Sequence, residues 1–526
     1  MRLSVRFALL ALALACFAVI MIVHLQTPPL VLNDSRGGAT VQVVADRNRL
    51  VVPGECLHLT WQAEGIQAIF LNDAPTVGSG DRELCAPANP ALRVVFQDGS
   101  EQQYPVAVER VYRTVPGALV LVAGVLLAAA AAWALVGPRA ALVLLVVALL
   151  APLARINTNM GMDYTGHLRI AARVLEDASA LPPHFLYHVL ILGLAGLFPT
   201  LLNLETASFL VIVAMHVLTG LAVYALLGLL DDQPGPRRRL LHVLVTLGLL
   251  LVTPISFTVG ALDPFHYSAY IYPNPYHNPT IIVLQPSAVL LFLLAVRAFA
   301  RQQTGAWTGA GLALVVVLGT LAKPSYTMAF VPAIALAAGW RFLGERAAFQ
   351  GMRARLTEFI RRYGVALGAI FIPAALVLGW QYWFLYGASH ASTVYAAPAH
   401  LSFAPLYLLR QEWALSWGEI IPQVAASLVF PAAVYAIYAR SAWKDWPLNL
   451  AWLVFLIGFS YTVLLVELPN AEAGNMTWSA RIALFVLFAA SAGFWLRQRR
   501  LGWRFAICGV LFGLHLVYPL LSVRGY

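Results

Sequence analysis

Residues 115–156 read VPGALVLVAGVLLAAAAAWALVGPRAALVLLVVALLAPLARI. Two apolar runs, 115–135 with no charge and 139–156 with only Arg139 and Arg155 near its ends, flank a Gly137-Pro138 turn. Each is about twenty residues long, the length a helix needs to cross a bilayer. Gly and Pro between two helical runs mark a tight connection. The pair therefore reads as two antiparallel membrane helices.

Similar runs recur downstream at 204–229, 241–259, 279–297, 307–321, 325–340, 364–385, 421–439, 447–466, 479–496 and 505–522. A shorter run, 185–198, is read as a helix that enters the membrane without crossing it. Hydrophobic residues make up 60% of the 526 and charged residues 11%, whereas soluble domains run roughly 45–50% and about 25%. The mean hydropathy of +0.75 agrees. The chain is expected to be mainly α-helical and polytopic, with membrane lipid as an obligatory partner.

The formal charge of +10 belongs to topology and excludes a nucleic-acid reading. Arginines cluster in short loops: Arg341, Arg346, Arg353, Arg355, Arg361 and Arg362; Arg237, Arg238 and Arg239; Arg497, Arg499, Arg500 and Arg504. Such loops stay cytoplasmic. Counting spans back from them sends 260–278, 387–420 and 467–478 to the outer face, and counting forward from the N-terminal anchor (residues 1–25) sends 157–184 there as well. At the start, MRLSVRFALLALALACFAVIMIVHL (residues 1–25) has two arginines before an apolar run too long for a cleaved signal. It reads as a signal anchor with its N-terminus in the cytoplasm.

Residues 26–112 differ in kind. LVVPGECLHLTW, QAIFL, LRVVF and YPVAVERV alternate or are β-branched, and turns such as FQDGS separate them. That pattern predicts short antiparallel strands. With Cys56, Trp61 and Cys85 in that order, the segment resembles a small immunoglobulin-like β-sandwich. Placed outside the membrane, Cys56 and Cys85 are expected to form a disulfide. Residues 113–526 then form the membrane domain.

The unusual polar segments gather on the expected outer face. Asp163 and His167 are one helical turn apart in NMGMDYTGHLRIAARV, on one face of a helix. An acid at the membrane–water boundary can take a proton from a hydroxyl. The second outer loop carries Asp263, His266, Tyr272, His277 and Asn278, stiffened by four prolines. Its hydrogen-bonding and aromatic groups suit a sugar or headgroup. Lys323, in AKPSYTMAF, and Arg481, in GNMTWSARIALF, are cations beside apolar runs, where charge is costly and marks function. Each wants an anionic partner, and Glu467 belongs to the same outer set.

These segments, with PPHFLYH (182–188) and PNPYHNPT (273–280), resemble the polytopic glycosyltransferases of the GT-C fold, and in particular a bacterial subgroup of them. The resemblance spans 115–526 and leaves out the β-domain. It implies a polyprenyl-phosphate sugar donor, an acceptor hydroxyl at the extracytoplasmic face, and Asp163 as catalytic base. His167, Asp263, His266, Tyr272, His277, Asn278, Lys323, Glu467 and Arg481 would bind substrate. Many members carry two acids one residue apart; here Gly161 and Thr165 stand two positions either side of Asp163. No cofactor is fixed, and a divalent metal on His266 and His277 beside Asp163 stays open. A lipid or solute transporter, another envelope-glycan polymerase or ligase, and a non-catalytic scaffold of the same fold stay open as well.

Overall fold

The computed structural model describes residues 3–522, apart from 26, 53, 85–89, 160–162, 232–234, 256–267, 303, 345–350, 387–399, 469–470, 472–473 and 499–501. The chain divides into two compact units, Met1–Thr165 and Gly166–Arg524.

The first unit holds helix α1 (Leu3–Leu25), a β-domain, α2 (Val115–Leu135) and α3 (Pro138–Asn159). One four-stranded sheet runs β1 (Leu30–Arg36), β2 (Ala39–Ala45), β4 (Leu57–Glu64), β7 (Ser79–Leu84). The other runs β6 (Ala74–Pro75), β5 (Ile66–Leu71), β8 (Ala91–Phe96), β9 (Glu101–Pro105). Both are antiparallel. The short β3 (Arg49–Leu50) pairs elsewhere, in parallel with Glu109–Arg110. Alternate residues of β2 and β4 are buried, as a period of two requires. Val41, Val43, Leu59 and Trp61 from one sheet share an apolar core with Ile69, Leu92, Val94 and Phe96 from the other. Asn72 and Asp73 adopt positive φ in the two-residue turn that joins β5 to β6, as such a hairpin demands.

Trp61 is buried on β4, and its indole N–H donates to the Val77 carbonyl at 2.9 Å. Cys56 directly precedes β4 and Cys85 directly follows β7 in sequence. Those strands are neighbours in one sheet, with Leu57 opposite Leu84. An immunoglobulin bridge instead ties two sheets together, so the β-domain departs from that pattern. Cys85 is outside the described residues.

Within this unit the β-domain is fastened to its helices. The Glu55 carboxylate accepts from the Val51 and Val52 amides, from Arg47 at 2.6 Å, and meets His24 of α1 at 2.8 Å. Gly54 lies so close to Pro152 of α3 that an added Cβ would stand 2.6 Å from its Cα. Arg155 of α3 donates to Glu83 at 2.5 Å.

The second unit is helical: α4 (Asp163–Glu176, whose first turn belongs to the other unit), α5 (Leu186–Leu197), α6 (Leu204–Asp231), α7 (Pro236–Leu249), α8 (Pro279–Arg301), α9 (Ala306–Ala322), α10 (Ser325–Gly344), α11 (Met352–Tyr386), α12 (Trp417–Ile437), α13 (Trp446–Leu464), α14 (Thr477–Arg497) and α15 (Trp503–Ser522). Among the described residues of the whole chain, nine helices are long and apolar enough to cross a membrane. The protein has the architecture of a multi-pass membrane protein. Shorter apolar helices include α5 and α9, and α5 matches the short element expected at 185–198.

The run expected at 241–259 behaves differently. Helix α7 starts earlier and stops at Leu249, before Thr253-Pro254. The carbonyls of Leu249 and Val252 accept from the Asn274 amide at 2.9 and 3.1 Å, and Leu250 accepts from the Tyr276 hydroxyl. Side chains from the polar segment thus replace the helical partners of this backbone, which must be satisfied inside a bundle. Helix α11 starts well before the expected 364, because Glu358 pairs with Arg361 and Arg362 on its first polar turns.

Candidate functional site

Helices α8 and α14 are the innermost of the bundle: 83% and 94% of their apolar windows are buried. A helix apolar on all sides belongs there, so polar groups on these two stand out. They gather at the N-terminal ends. Asn278 caps α8, accepting from the Ile281 amide at 3.2 Å and from the Thr280 hydroxyl at 2.7 Å. Trp478 and Arg481 occupy the first turns of α14, both buried.

Lys323 joins them from a third element. Proline disfavours a helical conformation in the residue before it, and Pro324 follows Lys323. Lys323 is accordingly extended, with φ −167° and ψ 130°, and ends α9 just before α10 begins. Its ammonium donates to Thr280 Oγ1 at 3.4 Å and lies 4.4 Å from the centre of the Trp478 ring. The Arg481 guanidinium lies 4.7 Å from the same ring centre, and the His277 ring 5.8 Å. Two cations and an imidazole therefore share one indole, which attracts cations through its π-face.

Arg481 also lines a small cavity with Ser268, Tyr270, Trp413, Thr462 and Thr477. Tyr272 is buried beside Tyr270, ring centres 6.4 Å apart. Glu467, on the strand Leu465–Leu468, is only 5% exposed. It accepts from the Asn475 amide at 2.6 Å and the Tyr386 hydroxyl at 3.3 Å. Asn475 is three residues from Trp478, so the carboxylate is tied to the segment that opens α14.

Lys323 also acts electrostatically on a histidine cluster. His167 Nδ1 of α4 is 3.1 Å from His188 Nε2 of α5. Pro182, Pro183 and His184 lead into α5, and Gln381 of α11 fixes this segment by donating to the carbonyls of Pro183 and Thr320, each at 2.9 Å. Burial pushes His167 down to about 2, with His188, His184 and Lys323 adding repulsion. Burial and then Lys323 and His188 push His184 down to about 3. Both rings are neutral at ordinary pH.

The structure thus brings together His277, Asn278, Lys323 and Arg481 around Trp478, with Glu467 linked through Asn475. Asp163 opens α4, half-buried, one turn before His167. Asp263 and His266 are outside the described residues, and among the described residues no group of three or more His, Cys, Asp or Glu side chains is arranged to hold a metal ion. Trp478, Thr280, His184 and His188 were not legible as site residues. The signals available were the segments that carry them, PPHFLYH, PNPYHNPT and GNMTWSARIALF, and the i, i+4 spacing of His184 and His188. No protein-family model, no curated protein and no solved structure matches this chain.

Proposed function

We propose that the protein is a multi-pass membrane glycosyltransferase of GT-C type. It takes a sugar from a polyprenyl-phosphate donor and passes it to an acceptor hydroxyl at the extracytoplasmic face. The β-domain lies on that face too, closed by Cys56–Cys85. The observation that carries the reading is the pair of cations held against Trp478: Arg481, buried in the first turns of α14, and Lys323, half-buried at the end of α9. A pair of cations, one buried and one half-buried, suits a phosphate, whose charge grows on the leaving group as the glycosidic bond breaks.

In this reading Asp163 removes the acceptor's proton as its oxygen attacks the anomeric carbon. The carbon–phosphate oxygen bond breaks, polyprenyl phosphate leaves, and the anomeric centre inverts. Lys323 and Arg481 stabilise the departing phosphate.

Lys323→Met and Arg481→Met keep the apolar stem and remove the charge. Each should weaken polyprenyl-phosphate binding by about tenfold or more while leaving the thermal transition of the detergent-solubilised protein near wild type. Unchanged affinity in both variants would remove the phosphate from this position. The competing reading, a lipid transporter, draws on the same buried charges. It would prevail if the wild type moves polyprenyl phosphates across liposomes and transfers no sugar from any of them.

A further inference from the structure

We infer that Arg341 and Arg355 hold the phosphate of an anionic phospholipid at the end of the bundle where α10 gives way to α11. In the topology proposed from the arginine clusters this is the cytoplasmic leaflet. The site lies at the opposite end of α10 from Lys323, and it does not depend on the transferase reading.

Arg355 carries the inference. It is only 6% exposed, and its buried Nε has no hydrogen-bond partner. Its Nη2 contacts Met352 Sδ at 3.0 Å, a weak acceptor, and its guanidinium lies 4.4 Å from the centre of the Phe342 ring. Arg341, half-buried beside Phe342 on α10, lies 5.3 Å from the centre of the Tyr363 ring. The rings are continuous: Phe342 meets Phe359 at 5.3 Å, and Phe359 meets Tyr363 at 5.0 Å. Tyr363 in turn stacks at 4.9 Å on Phe299 of the buried helix α8. Contacts from α10 and α11 thus hold both arginines against one fixed aromatic cluster. Glu358, the carboxylate nearest Arg355 in sequence, is taken by Arg361 and Arg362. Among the described residues no carboxylate pairs with Arg341 or Arg355. A ring face attracts a cation, but a buried charge is stable only when it is paired and hydrogen-bonded. The group that completes this arrangement is an anion, and phosphate oxygens match the N–H fork of a guanidinium.

The surroundings make that anion a lipid. Helix α11 has 35 residues, so it is roughly 52 Å long and outruns a hydrocarbon core of about 30 Å. Its polar first turns therefore reach the headgroup layer. There Met352, Leu356 and Ile360, at i, i+4 and i+8, form an exposed apolar stripe next to the buried line of Arg355, Phe359 and Tyr363. On α10, Trp340 and Leu343 are exposed on either side of Arg341. An outward apolar stripe beside arginines is the pattern of a helix lying among headgroups, and an exposed Trp belongs at the same depth. Basic residues at that level attract anionic lipids. The phosphate meets Arg341 and Arg355, and the acyl chains cover the apolar stripe.

The test is native mass spectrometry of the full-length protein in detergent, titrated with three probes. Dioleoyl phosphatidylglycerol is the anionic lipid. Dioleoyl phosphatidylcholine has the same tails and phosphate but no net charge, and glycerol phosphate is a headgroup without tails. Wild type should hold phosphatidylglycerol about tenfold more tightly than phosphatidylcholine, and glycerol phosphate more weakly than either lipid. Arg341→Met and Arg355→Met keep an apolar stem and remove the charge, so each should weaken phosphatidylglycerol binding by about tenfold. Arg353→Met, on the exposed side of the same turn of α11, should change it by less than about twofold. Equal affinity of wild type for the two lipids overturns the site, as does unchanged affinity in both Arg341→Met and Arg355→Met. An equal loss in Arg353→Met also overturns it, because the attraction would then be diffuse surface charge. Glycerol phosphate bound as tightly as phosphatidylglycerol overturns the lipid assignment in favour of a soluble phosphate ester. Should Arg355→Met fail to fold, Arg341→Met and the wild-type preference decide. Each of these outcomes leaves the phosphate reading at Trp478 untouched.

Discussion

In the proposed reading, Asp163 is the residue on which the chemistry of transfer depends. It opens α4, where a carboxylate also serves as a helix cap, and the two roles respond differently to one substitution. Asparagine caps nearly as well as aspartate but has no basic oxygen. If Asp163 is the base, Asp163→Asn should lower turnover by about 10²–10⁴ with donor binding intact. Full activity in this variant, assayed with lipid-linked sugars, would transfer the role to Glu467, the carboxylate tied to Asn475 and Tyr386. At the same scale, Lys323 was conspicuous in the sequence because a cation beside Pro324 interrupts an apolar stretch. Its neighbours were not. Thr280 is 43 residues away and Trp478 is 155 away in the chain, and no local pattern links them.

At the scale of elements, the β-domain shows how a strand fixes its neighbours. Gly80 faces Trp61 across the β4–β7 ladder, and a Cβ there would approach the indole to 2.6 Å. Gly80→Ala should therefore displace a core side chain and cost about 1–3 kcal/mol, read as a lower unfolding temperature with a shifted tryptophan emission. A variant as stable as wild type would mean that the Trp61 ring has room to move. Strand alternation made this domain legible, because its inner and outer faces differ sharply in polarity. Which strands pair was not legible, since several short strands of similar pattern allow more than one order. A Cys56–Cys85 bridge is part of the proposed reading of this domain and has its own test. Alkylation of denatured, unreduced protein should leave Cys56 and Cys85 unlabelled until reductant is added; labelling of both without reductant would rule out the bridge.

At the scale of the whole molecule, the arginine clusters make the most general statement. By the positive-inside tendency, the proposed topology has residues 341–362 in the cytoplasm and 260–278 outside. Single cysteines introduced in each, in intact cells, should react with an impermeant thiol reagent only in the second segment. Reaction confined to 341–362 would invert the topology, and the outer-face site with it. Apolarity alone does not fix where a helix ends: the run from 241 is helical only to Leu249. Asn274 and Tyr276, distant in sequence but adjacent in space, supply the hydrogen bonds that let the chain leave the helix there.

The sequence by itself determined that the chain is built of membrane-length helices with a β-domain near its start, and that polar residues are concentrated in a few segments between apolar runs. Those properties are local: a twenty-residue apolar run has one stable form in lipid, and a period of two has one stable form in a sheet. Only the tertiary structure decided which polar residues meet. Helices α8 and α14 are buried because other helices surround them, and this brings Asn278, Thr280, Trp478 and Arg481 to a common end. Lys323 reaches that group from a break between two other helices, and it acts electrostatically on His167 of α4 and His184 of the segment before α5. Such a cluster depends on which helices pack side by side, and helices of nearly uniform apolar surface carry little record of their partners in sequence.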